Sequence, residues 1–151
     1  MNDQTYAAYE AKLARARQLR AEIMPHNKQV LFDALSKAGI ALVSLTFDGV
    51  GDSGRMEAPE AFGPDNASLP LPLSPITIKA VDVEAGCAIA TDVFVPDYLE
   101  ELAYDLLGST HSGWEDNEGA YGEFRFVPAE QSITLEYNER YLDTKLSCHE
   151  F

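Results

Sequence analysis

The sequence is poor in basic residues and has no long apolar run, and each shortage excludes a class of protein. Eleven Lys and Arg residues stand against 25 Asp and Glu residues, which gives a formal net charge of −14. A field of that sign repels nucleic acid and anionic membranes, whereas it attracts basic protein surfaces. The longest apolar stretch is far shorter than the roughly 20 residues that a membrane-spanning helix needs. We therefore expect neither direct binding of nucleic acid nor insertion into a membrane.

Cysteine is also scarce. Cys87 and Cys148 are the two cysteines, and neither belongs to a CxxC motif. Two scattered thiols favour a reducing compartment over a disulfide scaffold. The N-terminal segment lacks the apolar core that a secretory signal requires. The sequence therefore predicts a cytoplasmic protein.

The chain does have enough apolar material for one hydrophobic core. It has 151 residues, of which 46% are hydrophobic, and this size and composition are typical of a single globular domain. Its charge is uneven: residues 1–37 hold six Lys/Arg against four Asp/Glu, and residues 38–151 hold five against 21. Acidity by itself also keeps many proteins in solution. The negative charge therefore favours a basic partner without requiring one.

Local patterns predict three helices. Residues 5–24 have apolar side chains at helical spacing, and Pro25 should end this helix. Asn27 should cap a second helix, KQVLFDALSKA, which ends at Gly39. The third helix begins at Asp97 and ends at Gly108. It buries its leucines and turns Glu100, Glu101 and Asp105 to solvent.

The remaining patterns predict antiparallel strands. ALVSLTF (41–47) leads into the turn FDGVGDSG (47–54), and RMEAPEAF returns as an edge strand weakened by Pro59. A Pro-rich loop covers 62–75. Residues 76–84, 120–127 and 132–141 alternate as strands do; GCAIATDVF is a strand or a loop. LSCHEF adds a final short strand, with Phe151 in the core.

These elements together predict an α+β fold. We expect an antiparallel sheet of four to five strands with helices packed on one face. The chain should form a single domain, residues 1–151. Residues 1–26 would be a helical N-terminal extension that protrudes, and residues 27–151 would be the α+β core.

The turn FDGVGDSG is the first candidate site. Asp48 and Asp52 are separated by glycines and offer carboxylates to a hard cation such as Ca²⁺ or Mg²⁺. The spacing differs from that of an EF-hand loop, and the bidentate Glu of that loop is missing. Asp-Gly and Asp-Ser-Gly are also typical of hairpin turns. The pattern therefore favours a structural turn over a metal site.

The segment THSGWEDNEGAYGEF (110–124) is the second candidate. His111 with Glu115 would suit a metal ligand pair or an acid/base pair, but a zinc site needs three or four ligands. Trp114 is interpreted either as a core anchor or, beside several acids, as an interaction hot spot. The HExxH, GxSxG and CxxC signatures of enzymes are absent. We therefore predict a non-enzymatic protein without a cofactor.

Several segments also carry a family resemblance: NKQVLFDAL (27–35), FDGVGDSG (47–54), AYDLL (103–107), GWEDNEGAYGEF (113–124), ITLEYNERY (133–141) and the closing HEF. They resemble a family of small uncharacterised acidic proteins that are typical of proteobacterial plasmids and other mobile elements. The similarity runs from about residue 27 to the end, and the GWExNxG block is its most specific part. The resemblance implies no catalytic residue. It implies a habitat in which such proteins inhibit host defence, as antirestriction or anti-CRISPR proteins do.

The leading functional prediction is an acidic binding protein, a DNA mimic that occupies a basic nucleic-acid-binding surface of a defence complex. Clustered carboxylates would imitate a phosphate backbone, and the binding would weaken with salt. The predicted surface consists of Glu100, Glu101, Asp105, Trp114, Glu115, Asp116 and Glu118. The alternative is a metal-binding protein or metal-dependent enzyme that uses Asp48, Asp52, His111 and Glu115. A third reading is a subunit that forms a homodimer through the helix at residues 5–24.

Overall fold

The computed structural model describes residues 3–50, 53–115 and 119–151. Within these ranges the chain forms two α-helices, eight β-strands and one 3₁₀ turn. The helices are α1 (Asp3–Lys37) and α2 (Val95–Thr110). The strands, in chain order, are β1 (Leu42–Val50), β2 (Ser53–Met56), β3 (Glu60–Phe62), β4 (Ser68–Leu69), β5 (Ile76–Asp82), β6 (Cys87–Val93), β7 (Ala120–Val127) and β8 (Ser132–Glu139). The 3₁₀ turn, Pro128–Glu130, joins β7 to β8.

Six of these strands form one antiparallel sheet, and the other two form a separate hairpin. The main sheet has the order β4-β3-β1-β7-β8, and β2 also pairs with β1. Strand β1 is long enough to pair with β3 along its first half and with β2 along its second half. Strands β5 and β6 pair only with each other within the described residues. The predicted α+β fold with an antiparallel sheet is therefore confirmed.

The hydrophobic core includes every second side chain of the central strands of the main sheet. Val43, Leu45 and Phe47 are buried along β1, and β7 places Phe126 opposite Val43 and Phe124 opposite Leu45. Because strand side chains alternate between faces, the intervening residues of β1 and β7 point the other way. Buried side chains of both helices belong to the same core cluster. The period-two pattern therefore predicted β7 correctly, whereas β1 continues through Val50 into the segment that was predicted as a turn.

Helix α1 differs from the prediction because it continues through Pro25. The helix is 35 residues long, with Pro25 in its interior. A proline removes one backbone hydrogen bond and costs about 3 kcal/mol in a helix interior. Buried residues lie on both sides of it, with Leu19 before and Leu31 after. The predicted break at Pro25 is therefore wrong, because packing on either side holds the helix together.

Asn27 also has a role other than the predicted helix cap. Its side chain is buried in α1 and faces strand β5. Its amide nitrogen donates to the Lys79 carbonyl at 2.8 Å, and its amide oxygen accepts from the Lys79 N–H at 2.8 Å. The Asn27 amide thereby makes the two backbone hydrogen bonds that a neighbouring strand would make with Lys79. These bonds attach the β5–β6 hairpin to α1.

Helix α2 agrees closely with its prediction. It buries Leu99, Leu102 and Leu107 and turns its polar residues outward. It ends at Thr110 rather than at Gly108, and the Ser109 and Thr110 hydroxyls donate to the Leu106 carbonyl. Within the described residues, no helix is both long and apolar enough to cross a membrane.

The C-terminal segment does not form the predicted final strand. Residues 140–151 have no regular secondary structure, and Phe151 is fully exposed rather than buried in the core. Among the described residues, the last backbone hydrogen bond is that of Arg140, whose N–H donates to the Gly119 carbonyl at 2.9 Å. The expectation of a strand came from the apolar residues of this segment, and these residues lie in solvent.

Candidate functional site

The two motifs singled out in the sequence meet in the structure. The Trp114 ring lies over Gly49 of β1 and Gly54 of β2, which belong to the FDGVGDSG segment. A Cβ atom added at Gly49 would come within 2.8 Å of the Trp114 ring, and one added at Gly54 would also collide with it. Any larger side chain at these positions would therefore displace the tryptophan.

Trp114 is held from several sides and is buried. Its ring meets Phe47 edge to face, with 5.5 Å between the ring centroids, and Tyr104 of α2 lies 6.5 Å away. Edge-to-face packing at such distances is favourable because the positive ring edge meets the negative face. The Tyr104 hydroxyl in turn accepts a hydrogen bond from the Met56 N–H. The structure therefore supports the interpretation of Trp114 as a core anchor.

His111 and Glu115 lie near Tyr137 of β8. The His111 and Tyr137 rings stack almost parallel, with 3.5 Å between their centroids. Partial burial raises the pKa of Tyr137, and the carboxylates of Glu139 and Glu115 raise it further. No hydrogen bond or ion pair joins His111 to Glu115 in the described part of the chain. Among the described residues, His111 therefore contacts the Tyr137 ring rather than Glu115.

Asp48 has a cationic partner. The Arg140 guanidinium lies 3.0 Å from the Asp48 carboxylate and donates to the Gly49 carbonyl at 3.1 Å. It also lies over the Tyr121 ring, 4.7 Å from the centroid. Arg140 therefore connects β1 to β7 and compensates the charge of Asp48.

The metal-ligand candidates do not gather in the described ranges. No group of three or more His, Cys, Asp or Glu side chains within residues 3–50, 53–115 and 119–151 is placed to hold a metal ion. Asp52 lies outside the described residues, so the predicted set of Asp48, Asp52, His111 and Glu115 is not tested as a whole. Asp116 and Glu118 of the predicted binding surface also lie outside them.

The carboxylates of α2 form an acidic row along one side of the helix. Asp97, Glu101 and Asp105 are exposed and follow one another at intervals of four residues, and Glu100 is partly exposed. Residues four apart lie on one side of a helix, about 6 Å apart along its axis. Helix α2 contains no Lys, Arg or His, and no ion pair of the described residues involves it. This row of charge is therefore uncompensated.

A groove of about 650 Å³ runs beside this row, between α1, β5 and α2. Apolar side chains that include Ile23, Met24, Leu102 and Leu106 line it. Glu101 and Asp105 border it on the α2 side, and Arg20 borders it on the α1 side. Lys79 of β5 also lines it, so the groove combines an apolar lining with two acidic and two basic residues.

Tyr98 lies in the same groove, where its hydroxyl is largely buried. Burial raises its pKa from the usual value of 10.0 to about 12, and the nearby carboxylates of Glu101 and Asp105 also raise it. A hydrogen bond with Asn27 acts in the opposite direction.

Sequence reasoning missed three of the residues that organise this region. Arg20 and Tyr98 were not singled out, and Asn27 was interpreted as a cap. A buried Asn within a helix is unusual because helices disfavour Asn and cores disfavour polar groups. This conflict marks Asn27 as an unusual residue, but it does not identify β5 as the strand that Asn27 bonds.

The described residues define a class of protein: an α+β domain with two helices, one of them acidic, and an open antiparallel sheet. Residues 23–151 match the family of unknown function DUF6878, so the chain belongs to that family. The match begins inside α1, and residues 3–22 of the helix lie before it. Searches of curated proteins and of solved structures find no match to this chain.

Proposed function

We propose that the protein is a non-enzymatic, cytoplasmic binding protein that presents the acidic face of α2 to a basic surface of a partner. The observation that carries this proposal is the uncompensated row of Asp97, Glu101 and Asp105, with Glu100 beside it. A row of this kind attracts a basic surface and orients it during the encounter.

The groove beside the row supports the same proposal. A partner's lysine or arginine has an apolar stem and a charged head, and such side chains pack the stem on apolar surface. The stem would contact Leu102 and Leu106, and the head would reach Glu101 and Asp105. Arg20 on the opposite side carries a positive charge, so a cationic side chain of the partner would bind on the α2 side of the groove.

The charge pattern of α2 is a cost to the folded protein. Asp97 lies in the first turn, where the helix dipole favours a carboxylate. Glu101 has a like charge four residues away on either side, at Asp97 and at Asp105, and each such pair destabilises a helix by about 0.2–0.5 kcal/mol. Residues that destabilise the folded protein and have no structural role are characteristic of functional sites. This cost favours a binding role for the row over a structural one.

The proposed class of partner follows from the charge and the family resemblance together. Within the proposal, the protein belongs to a mobile element and inhibits a host defence system of the restriction or CRISPR type. The carboxylates would occupy a groove that otherwise binds phosphates. Trp114 is left out of the proposed surface because its ring is buried. Glu115 stays part of it, as do Asp116 and Glu118.

The experiment compares three forms of the full chain as baits in cell extracts. One is the natural chain, and one carries Asp97→Asn, Glu101→Gln and Asp105→Asn. The matched control carries Glu60→Gln, Glu130→Gln and Glu136→Gln, which are exposed carboxylates outside α2. We expect the natural chain and the control to capture a basic nucleic-acid-binding protein that the α2 variant fails to capture.

The affinity of the captured protein should then fall steeply as salt rises, because exposed charges are screened at about 8–10 Å in physiological salt. Equal capture by all three baits would overturn the proposal. A complex whose affinity is independent of salt would overturn it as well.

A further inference from the structure

One edge of the β5–β6 hairpin is open. Asn27 bonds both the N–H and the C=O of Lys79, so these groups point away from β6. Lys79 pairs with Ala90, which makes this a non-hydrogen-bonded pair of the antiparallel ladder. The N–H and C=O of Ala90 therefore point to the outer edge of β6. By the alternation of the ladder, those of Ala88 and Asp92 do the same.

This edge lacks the usual protection against pairing. Exposed edges are normally guarded by lysine, proline, bulges or very short strands. Strand β6 spans seven residues and contains neither lysine nor proline, and its one charged residue is Asp92. Ile89 is 48% exposed at the middle of the strand. No described strand covers this edge.

The C-terminal segment is an exposed chain with the pattern of a strand. Leu142 is 76% exposed and Leu146 is 86% exposed, and Tyr141 and Phe151 are exposed as well. Leu142, Thr144, Leu146 and Cys148 alternate with polar residues, so an extended conformation would place them on one face. Solvent contact by so many apolar side chains is unfavourable, which means that the segment gains by pairing.

The segment and the β6 edge match each other residue by residue in one antiparallel register. One face would pair Cys87 with Cys148, Ile89 with Leu146, Thr91 with Thr144 and Val93 with Leu142. The other face would pair Ala88 with Ser147, Ala90 with Lys145, Asp92 with Asp143 and Phe94 with Tyr141. Apolar, Thr–Thr and aromatic pairs stabilise antiparallel strands, whereas the Asp–Asp pair opposes this register. Seven of these eight pairs are therefore favourable or neutral.

We infer that residues 141–148 of one copy add as an antiparallel strand to the free edge of β6 in a second copy. The exchange is reciprocal, so that a two-fold dimer forms with two added strands. Main-chain hydrogen bonds of Ala88, Ala90 and Asp92 bind the strand, and the alternate side chains fix its register. The dimer adds to the proposed function without depending on it, because the α2 row takes no part in it.

The strand is assigned to a second copy because residues 141–148 do not pair with β6 of their own chain. They are exposed and have no regular secondary structure, and no described strand pairs with the outer edge of β6. The segment begins directly after Arg140, which is held at the end of β8 by hydrogen bonds to the carbonyls of Gly119 and Gly49. Strands β8 and β6 belong to different sheets.

The two cysteines provide a test that needs no added label. Both are exposed and free, and the register makes them a non-hydrogen-bonded pair with Cα atoms about 4.5 Å apart, which a disulfide can bridge. Cys87→Ser retains only Cys148, and Cys148→Ser retains only Cys87. The two variants are oxidised with diamide, alone and mixed. Each disulfide releases two protons and two electrons, and diamide accepts both.

We expect the mixture to form disulfide-linked dimers much faster than either variant alone, and the natural chain to form doubly linked dimers. An internal disulfide within a monomeric natural chain would mean pairing within one copy and would overturn the inference. Equal rates in the mixture and in the separate variants would overturn it too, because they would indicate random collision.

A second measurement uses reduced protein and sedimentation at several concentrations. Leu146→Asp should weaken dimerisation by about tenfold or more, because a leucine loses its burial against Ile89. Leu73→Asp is the matched control, since Leu73 is 88% exposed in a different loop and should change nothing. Asp143→Asn should strengthen dimerisation about two- to fivefold by removing the Asp–Asp pair. A monomeric natural chain at all concentrations would overturn the inference.

Discussion

The main sheet and the β5–β6 hairpin are held in place in different ways. Around Phe47 the main sheet has a continuous aromatic cluster of Trp114, Phe124 and Tyr137. The hairpin has two strands, an open edge and a buried attachment through Asn27 and Ile78. Regions with few buried contacts open locally at lower free energy than the core does. Most of the stability therefore resides in the main sheet, and the hairpin offers a surface for contacts.

The largest effect should come from removing the anchor of the main sheet. Trp114→Ala leaves a cavity above Gly49 and Gly54 where the indole ring was. We expect it to lower the free energy of unfolding by about 3–5 kcal/mol. Urea unfolding followed by circular dichroism measures the change. Tyr6→Ala is the control, because Tyr6 is 57% exposed and its loss should have little effect. A loss below about 1 kcal/mol for Trp114→Ala would contradict the central role of the cluster.

A smaller and more local effect should follow from releasing the hairpin. Asn27→Ala leaves the Lys79 N–H and C=O without partners, at a cost of about 2–3 kcal/mol. Hydrogen exchange should accelerate at the Lys79 amide and along β5, with less change in β1 and β7. Gln29→Ala, an exposed amide on the same helix, is the control. Equal acceleration in both sheets would show that the hairpin and the main sheet open together.

Alkaline pH should test the groove between the hairpin and the two helices. The pKa of Tyr98 is raised from 10.0 to about 12, so the folded state holds this proton more tightly than the unfolded state. The stabilisation is complete below pH 10 and is lost as pH rises through about 12, a change of about 2–3 kcal/mol. Unfolding at pH 9 and at pH 12 measures it. Tyr98→Phe should lose less stability over this range, and an equal loss would contradict the assignment.

The smallest effect should come from the charge row of α2. Glu101→Gln removes two like-charge pairs and should raise stability by about 0.5 kcal/mol at low salt. The gain should shrink in 1 M salt, where the screening length is about 3 Å. Glu136→Gln on β8 is the control. A loss of stability in the Glu101 variant would show that the row stabilises the fold and weaken its proposed role in binding.

Local sequence patterns predicted the helices and strands that are determined by residues close to one another in the sequence. Helix α2 was predictable because Leu99, Leu102 and Leu106 repeat at helical spacing, and their buried face forms wherever the helix packs. Strands β7 and β8 were predictable for the same kind of reason at period two. Pro25 misled the prediction because contacts of Leu19 and Leu31 with distant elements outweigh the lost backbone bond.

The candidate site was less predictable because its contacts join distant parts of the chain. Trp114 meets Gly49 and Gly54 from about 60 residues away, and no spacing rule connects them. Arg140 reaches Asp48 across β7, and Asn27 reaches Lys79 across the groove. The acidic row of α2 was predictable, since helix periodicity alone places Glu101 and Asp105 on one side.

The basic character of α1 has a further consequence for how the molecule moves toward a partner. Residues 12–20 lie in the N-terminal half of a helix about 52 Å long and carry four positive charges and no negative one, whereas the residues after 37 hold five Lys and Arg against 21 Asp and Glu. Positive and negative charges are therefore unevenly distributed over the molecule. A basic partner of the proposed kind would repel the basic segment of α1 and attract the acidic residues, which exerts a torque on the molecule. The proposed approach would then be oriented before contact, and salt should slow it.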